Sequence, residues 1–274
     1  MAITTVKSGA LEYLTADSIA VPHCFTTRLG GVSRGHLASL NLGAHRGDDP
    51  ENVAANFRIL ANAVGFDPNK LVLTRQIHSD IVRQVQHTDS NGFDNHDYPD
   101  CDALITNDPG TALAVFSADC TPILLHDPVT GAVGAVHAGW RGTAARLAEK
   151  TVFAITEAFG CKSADICAAI GPNIAQCCFQ TDADVPAAMK ESFGAEAERH
   201  IRSIDGKYYV NLKTLNALLL QYAGVVNIDI SADCTACNPD RYWSHRVRGR
   251  VRGSQGAIIL CQEASRGNEA FQFF

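Results

Sequence analysis

The stretch ADCTPILLHDPVTGAVGAVHAGWRG, residues 118–142, contains two apolar runs on either side of a turn-forming segment. The runs are Pro122 to His126 and Ala132 to His137, and the residues between them, DPVTG, include the Pro and Gly typical of a short antiparallel turn. The pattern predicts a β-hairpin, and this hairpin is the starting point for the fold and for the candidate site.

The hairpin brings a cysteine and a histidine close together. If His126 pairs with Ala132, Thr121 lies opposite His137, and cross-strand neighbours are about 5 Å apart at Cβ. Cys120 is then one residue away from facing His137. A thiolate and an imidazole at this distance are either two ligands of a zinc ion or a Cys/His nucleophile pair.

Residues around the hairpin strengthen the case for a site. Gly139 and Gly142 let the backbone approach a ligand, and Arg141 between them offers a guanidinium fork to an oxyanion. A third metal ligand has to come from elsewhere in the chain. His78 is the best candidate, because it lies at the end of a predicted strand among polar groups set between apolar residues.

The composition limits the class of protein. A chain of 274 residues with 46% hydrophobic content is expected to form one domain, residues 1–274. The net charge of −6 gives no broad basic surface for nucleic acid, so the expected partner is a small molecule. There is no signal-peptide pattern and no apolar run of about 18 residues, so we expect no membrane contact and a cytoplasmic location. Most of the ten cysteines are expected to be buried thiols.

Strand-like and helical patterns alternate along the chain and favour a mixed α/β or α+β fold. Asp49 is the predicted N-cap of a helix that has Pro50 in its first turn and Gly65 after its end, and Thr143 is the predicted cap of another. The predicted helices are Pro50 to Val64, Ala144 to Phe159, Asp184 to Phe193 and Leu212 to Tyr222.

Two further patterns are interpreted as structural. Cys234-Thr235-Ala236-Cys237 is a single CxxC without a second pair at zinc-ribbon spacing, so two packed thiols are preferred to a structural zinc site. The arginines at 246, 248, 250 and 252 alternate along a predicted strand and indicate a solvated edge, from which Arg246 is placed to reach a phosphate. A glycine-rich loop that begins at Arg28 is a second candidate anion site.

Eight ordered motifs resemble the laccase-domain, or multicopper polyphenol oxidase, family of YfiH-like purine nucleoside phosphorylases. They are TRLGGVS (27–33), NLG (41–43), GDDP (47–50), QIH (76–78), ADC (118–120), HAGWRG (137–142), IGP (170–172) and DCT (233–235). The resemblance implies an α+β fold, a layered α/β/β/α mixed sandwich similar to YfiH-like cysteine hydrolases and certain cysteine-hydrolase toxins.

The resemblance also implies a function. A chain of this family is expected to be a zinc-dependent enzyme that phosphorolyses adenosine, inosine and S-methyl-5′-thioadenosine and hydrolytically deaminates adenosine. The family's zinc ligands fall on His78, Cys120 and His137, the trio reached above from chemistry. Three protein ligands leave a fourth zinc position open, where the pKa of water falls to about 7.

Further roles are assigned on the chemistry that such an enzyme needs. Asp119, beside the thiolate ligand, is the candidate for proton transfer, so the predicted catalytic residues are Cys120, His137, His78 and Asp119. The expected partners are purine nucleosides and phosphate, and the expected state is a monomer or a weak homodimer. The predicted substrate-binding and phosphate-binding residues are Arg28, Asn41, Gln76, Arg141 and Arg246.

The chain departs from the family pattern near its C-terminus. It has Ser244-His245-Arg246-Val247-Arg248 where the family usually has Ser-Tyr-Arg-Arg-Asp, and Gln180-Thr181 where the family commonly has Glu-Val. Arg246 is retained, but its neighbours differ from those in the family pattern. The family's substrate preference therefore does not carry over to this segment.

Other interpretations remain open at this point. Copper oxidase chemistry is less favoured, because none of the ten histidines forms a His-X-His pair and Met189 is the only methionine besides Met1. A metal-free hydrolase would use Cys120 as nucleophile and His137 as base. A noncatalytic nucleoside-binding protein is the fourth alternative.

Overall fold

Strands and helices are mixed along the chain, in the α+β class that the sequence predicts. The computed structural model describes residues 2–90, 92 and 98–264. The strands are β1 (Ile3–Ser8), β2 (Leu11–Ala16), β3 (His23–Thr26), β4 (Leu71–Val72), β5 (Val82–Gln84), β6 (Ala103–Thr106), β7 (Ala112–Ser117), β8 (Thr121–His126), β9 (Val133–Ala138), β10 (Cys167–Ile170), β11 (Gln180–Thr181), β12 (Ile201–Ile204), β13 (Lys207–Val210), β14 (Asn227–Ile230) and β15 (Gln255–Leu260). The α-helices are α1 (Pro50–Val64), α2 (Trp140–Ala144), α3 (Leu147–Phe159), α4 (Asp184–Phe193), α5 (Leu212–Tyr222) and α6 (His245–Arg248).

The strands form two large sheets and one small sheet. The first sheet has the order β1-β2-β3-β15-β7-β4, and the second has the order β14-β10-β8-β9-β6-β5. Strands β11, β13 and β12 form a separate three-stranded sheet. Within the described ranges, no helix is both long enough and apolar enough to cross a bilayer.

The predicted hairpin lies at the centre of the second sheet, where β8 and β9 pair antiparallel. The predicted register is wrong by one residue, because Pro122 rather than Thr121 lies opposite His137. The cause is the turn, in which the backbone N–H of Asp127 donates to the carbonyl oxygen of Ala132 at 2.8 Å. Asp127, and not His126, is therefore the residue opposite Ala132.

In the part of the chain that the structure describes, three apolar cores separate four layers of structure. Leu124 of β8 and Phe25 of β3 belong to the core between the two large sheets. Ile123, on the opposite face of β8, belongs to the core that the second sheet shares with α3, α4 and α5. Phe57 of α1 packs with Ile258 of β15 on the outer face of the first sheet. Because both faces of β8 are covered, its sequence is a continuous apolar run instead of an alternating one.

The capping signals for α1 are confirmed. The side chain of Asp49 accepts a hydrogen bond from the backbone N–H of Glu51 at 3.0 Å, and Gly65 ends the helix in the left-handed conformation at φ 92°. The predicted ranges of α4 and α5 agree with the structure.

The helix predicted from Ala144 to Phe159 begins three residues later than expected: α3 runs from Leu147 to Phe159, which confirms the predicted end, and a separate helix, α2, ends at Ala144. The predicted cap, Thr143, is wrong. Gly139 precedes α2, so Thr143 lies inside a helix and its hydroxyl donates to the carbonyl oxygen of Gly139. Arg146 then adopts a φ of 62°, which separates α2 from α3. Its guanidinium donates to Glu149 at 2.9 Å and to the carbonyl oxygen of Ser192 at 3.1 Å. These bonds stabilise the break between the two helices.

The predicted strand that carries four alternating arginines is also wrong. Residues His245–Arg248 form the short helix α6, and the side chain of Ser244 caps it by accepting from the backbone N–H of Val247 at 3.3 Å. The four arginines therefore do not share one face of a strand.

Gly171 follows β10 at a point where its backbone lies against the ring of Phe25. A Cβ at residue 171 would be 2.2 Å from Cδ1 of Phe25, which is buried between the sheets. We expect Gly171→Ala to lower the free energy of unfolding by about 1–3 kcal/mol, the usual cost of overpacking a core. Denaturant unfolding of the variant measures this change.

A second substitution tests the cause. Phe25→Leu removes the ring that the new Cβ meets, so the double variant should lose less stability than the sum of the two single variants. Additive losses, or a Gly171→Ala variant as stable as the wild type, would contradict the proposed collision.

Candidate active site

The three predicted metal ligands come together in the structure. Cys120 Sγ lies 3.8 Å from His78 Nε2, and one ligand atom from each of His78, Cys120 and His137 lies within 4.8 Å of the other two. The two imidazole rings are 5.1 Å apart between centroids and meet at 74°. Gly139 makes room for this cluster, because a Cβ there would be 2.9 Å from the His78 ring and 3.1 Å from the sulfur.

The fold places two of the candidate ligands where the chain crosses from one large sheet to the other. Cys120 lies between β7 of the first sheet and β8 of the second, and Asp119 before it turns the chain with a φ of 88°. His78 lies between β4 and β5, again at a crossing, with a φ of 61°. His137 is part of β9 itself. The site therefore forms at the junction of the two sheets.

A buried carboxylate, Asp102, links the two histidines. Its Oδ1 lies 2.9 Å from His137 Nδ1, which leaves Nε2 of that ring for a metal or a substrate. The same carboxylate accepts from the backbone N–H groups of Ile77, His78 and Ser79 and from the hydroxyl of Ser79, at 2.6–3.2 Å. One residue thus orients His137 and fixes the turn that carries His78.

The sequence prediction missed Asp102. Burial alone would raise its pKa, but hydrogen bonds from His137 and Ser79 lower the pKa to about 2, so it is a carboxylate at neutral pH. The available signal was its position directly before the buried strand β6, where an ionised side chain needs partners.

Cys120 and His137 stabilise each other's charged forms. Burial acts against charge on both, but His137 and His78 lower the pKa of Cys120 to about 6. Cys120 and Asp102 correspondingly raise the pKa of His137 to about 9, against the effect of burial. The thiolate is the form that binds a metal or attacks an electrophile.

The three side chains line a cavity of about 350 Å³, a size typical of small-molecule sites. Its apolar wall includes Phe57 and Phe116, whose rings meet edge to face at 85° with centroids 6.2 Å apart. The predicted binding residue Gln76 also lines the cavity. Its amide exchanges two hydrogen bonds with the backbone of Phe116, at 2.6 and 2.7 Å, and so holds the wall in place.

Among the described residues, the arginines that line the cavity are Arg46, Arg75 and Arg252. Arg75 pairs with Asp100. Burial and the positive charge of Arg46 together lower the pKa of Arg252 to about 10. Two cations that repel each other beside a cavity favour the binding of an anion.

The three arginines predicted to bind phosphate are absent from the described lining of this cavity. Arg28 is buried over the ring of Trp243, at 3.9 Å from its centroid, and donates to backbone carbonyl groups of residues 38 and 239. Arg246 donates to the carbonyl oxygens of residues 178 and 180, and Arg141 stacks on the ring of Trp140.

Asn41 and Asp119 hold loops around the cavity. Asn41 Oδ1 accepts from the backbone N–H of Ser254 at 3.0 Å, and its amide donates to Asp48 at 2.8 Å. Both carboxylate oxygens of Asp119 accept hydrogen bonds, from the hydroxyls of Thr235 and Ser244 and from the backbone N–H of residue 246. These contacts favour a positioning role for Asp119 over proton transfer.

Replacing Asp102 should weaken metal binding at the trio. Asp102→Asn keeps the shape of the side chain but turns an NH₂ group toward donors and removes the charge that orients His137. We expect zinc affinity to fall about 10–100-fold, the usual effect of removing such a support. Titration of the metal-free protein in competition with a chromophoric chelator measures it.

Asp100→Asn is the matched control, because it removes an equal charge two residues away, from an exposed ion pair with Arg75. Equal zinc affinities in the two variants would show that Asp102 does not support the site.

Comparison with known proteins agrees with this architecture. The chain is 38% identical to a purine nucleoside phosphorylase of Deinococcus radiodurans over 254 residues, covering 93% of this chain and 94% of the relative. It is 37% identical to the purine nucleoside phosphorylase YlmD of Geobacillus stearothermophilus over 241 residues, covering 85% and 86%.

Solved structures show the same fold. The crystal structure of Geobacillus stearothermophilus YlmD aligns with a TM-score of 0.89 at 35% identity, over 94% of this chain and 99% of that one. The Bacillus licheniformis hypothetical protein YfiH aligns with a TM-score of 0.88 at 31% identity, over 95% and 99%.

The family model described as multi-copper polyphenol oxidoreductase laccase matches residues 22–262. With these relatives and structures, the match confirms the predicted resemblance: the chain belongs to the multi-copper polyphenol oxidoreductase laccase family, whose YlmD members are named purine nucleoside phosphorylases.

Proposed function

We propose that this protein is a zinc-dependent purine nucleoside phosphorylase that also deaminates adenosine by hydrolysis. The observation that carries the proposal is the convergence of His78, Cys120 and His137 on a cavity that also has two mutually repelling arginines, Arg46 and Arg252. The names of the relatives support a purine nucleoside and phosphate as substrates. Adenosine, inosine and S-methyl-5′-thioadenosine are the proposed nucleosides.

The donor set fits zinc. Tetrahedral zinc with Zn–N near 2.05 Å and Zn–S near 2.3 Å places a nitrogen and a sulfur ligand about 3.6 Å apart, and His78 Nε2 lies 3.8 Å from Cys120 Sγ. His137 presents Nε2 because Asp102 holds its other nitrogen. Bound zinc supplies Lewis-acid polarisation and lowers the pKa of water.

The residues of the chain account for binding and orientation. Arg46 and Arg252 attract phosphate, because an anion between them relieves their repulsion. Phe57 and Phe116 provide an apolar wall for the purine, and Gln76 keeps that wall rigid. In phosphorolysis a phosphate oxygen bonds to C1′ of the ribose while the C1′–N9 bond breaks and the purine takes up a proton.

A metal-free cysteine hydrolase is the second candidate. The low pKa of Cys120, about 6, beside an imidazole favours it, because such a pair is the arrangement of an activated nucleophile. A free thiolate is alkylated rapidly, whereas a zinc-bound thiolate resists alkylation, so metal content separates the two candidates. Copper is the less favoured alternative metal, on the ground that the chain has no His-X-His pair.

Chromatography of adenosine incubated with and without phosphate tests the proposal. We expect adenine only when phosphate is present and inosine in either case, and both products should disappear in Cys120→Ala. Cys167→Ala is the control, since Cys167 is a free half-buried thiol outside the cavity. Conversion that persists in Cys120→Ala, or a metal-free protein whose Cys120 is alkylated rapidly, would contradict the zinc enzyme.

The phosphate site has a separate test. Arg252→Ala should raise KM for phosphate about 10-fold or more, since a hydrogen bond to a charged group contributes about 1.5–3 kcal/mol. Arg141→Ala is the matched control, because Arg141 stacks on Trp140 and is absent from the described lining of the cavity. A larger effect from Arg141 than from Arg252 would return the phosphate site to the residues first predicted from the sequence.

A further inference from the structure

A second group of potential metal ligands lies outside the cavity. Four free cysteines, at positions 177, 178, 234 and 237, place their sulfur atoms within 4.8 Å of one another. The sequence prediction treated the CxxC of residues 234–237 as two packed thiols because no second pair stood at zinc-ribbon spacing. The structure supplies that pair from adjacent residues almost 60 positions earlier, so the packed-thiol interpretation is incomplete.

Two turns bring the cysteines together. Cys177 and Cys178 lie in the turn that follows β10, and Cys234 and Cys237 lie in the turn that follows β14, the parallel neighbour of β10. An isolated bridge between Asn173 and Cys234 continues the pairing of the two strands into these turns. The arrangement is therefore set by the main chain of the second sheet.

The sulfur spacing suits one ion. A tetrahedral ion with metal–sulfur bonds of about 2.3 Å separates its sulfur ligands by about 3.8 Å. Cys177 Sγ lies 3.5 Å from Cys237 Sγ and 3.7 Å from Cys178 Sγ, and the sulfurs of Cys178 and Cys237 are 3.3 Å apart. A set of four thiolates in this geometry favours zinc, whereas an iron–sulfur cluster requires more space between its cysteines.

Two neighbouring groups favour negative charge on the sulfur of Cys234. The backbone N–H of Ala175 donates to Cys234 Sγ at 3.3 Å. Lys213 is almost fully buried nearby, where its ammonium donates to the carbonyl oxygens of Ser231 and Asp233 and interacts electrostatically with Cys234. A zinc ion with four thiolates carries a net charge of about −2, which a neighbouring ammonium group offsets.

We propose that Cys177, Cys178, Cys234 and Cys237 bind one structural zinc ion, separate from the centre formed by His78, Cys120 and His137. Four protein ligands fill the coordination of the ion, which is typical of a structural site and not of a catalytic one. The inference does not depend on the proposed enzyme activity.

The ion would stabilise segments that reach the active site. Thr235, inside the CxxC turn, donates its hydroxyl to Asp119 at 2.6 Å, and Asp119 precedes the ligand Cys120. On the other side, Arg246 donates to the carbonyl oxygen of Cys178 at 2.7 Å. Zinc binding thus connects two loops to the turn that positions Cys120.

Elemental analysis by mass spectrometry of the full chain and its variants tests the proposal. We expect about two metal equivalents in the wild type, and about one in Cys237→Ser and in Cys178→Ser. Cys167→Ser is the matched control and should keep both. His78→Ala should lose the other equivalent and keep the ion of the four cysteines, so failure of the two sites can be told apart.

A second measurement, on the wild-type protein, tests the proposal even if the cysteine variants do not fold. In the wild-type protein a strong chelator should expose the thiols at positions 177, 178, 234 and 237 to alkylation, in addition to Cys120 of the other centre, as located by peptide mass spectrometry. An unchanged metal content in Cys237→Ser overturns the proposal. A metal-free cluster with a disulfide between Cys178 and Cys237, or four thiols alkylated without chelator, overturns it as well.

Discussion

The hydrogen bonds of one buried carboxylate hold the candidate active site together. Asp102 is fully buried, and a buried charge is costly unless it is paired and hydrogen-bonded. Here His137 and three successive backbone N–H groups of residues 77–79 meet that requirement. The same bonds fix the separation of two candidate metal ligands that belong to different parts of the chain. The stability of the folded chain and the geometry of the site therefore depend on the same contacts.

The two large sheets explain why the ligands meet where they do. Strand β8 is covered on both faces, so the hairpin cannot move without disturbing two cores. Cys120 and His78 follow strands of the first sheet and precede strands of the second, so both lie at crossings. A rigid core next to short connections gives ligands fixed positions without any regular structure of their own.

The features that were predicted correctly from the sequence are those that depend on short sequence patterns. The caps of α1 are visible as Asp49 and Gly65. The proximity of the candidate ligand trio is visible because Cys120 and His137 flank one hairpin and each of the three residues lies in a recognisable motif. The register error came from one turn hydrogen bond, and the break at Arg146 depends on contacts with Glu149 and with distant Ser192. The contact with Ser192, 46 positions from Arg146, was not visible in a short window of sequence.

The residues that prediction missed are those defined by long-range contacts. Asp102 acts on residues 23 to 35 positions away, and Cys177 meets Cys237 across 60 positions. Arg252 was assigned to a solvated strand edge, but it lines the cavity because the chain after α6 returns to the first sheet at β15. Which polar residues lie in the same cavity or cluster becomes visible only when the sheets are assembled.

The origin of the cavity walls has a consequence for how such a protein loses function. Arg252 precedes β15 of the first sheet. Asn41 forms a hydrogen bond with the segment that contains Arg252 and so connects this segment to the loop that carries Arg46. His137 belongs to the second sheet. A small slide of one sheet over the other would therefore change the distance between the anion-attracting wall and the ligand trio while leaving each of them intact. The core between the sheets therefore maintains the relative position of the anion-attracting wall and the trio, and the site depends on that position more than on either part alone.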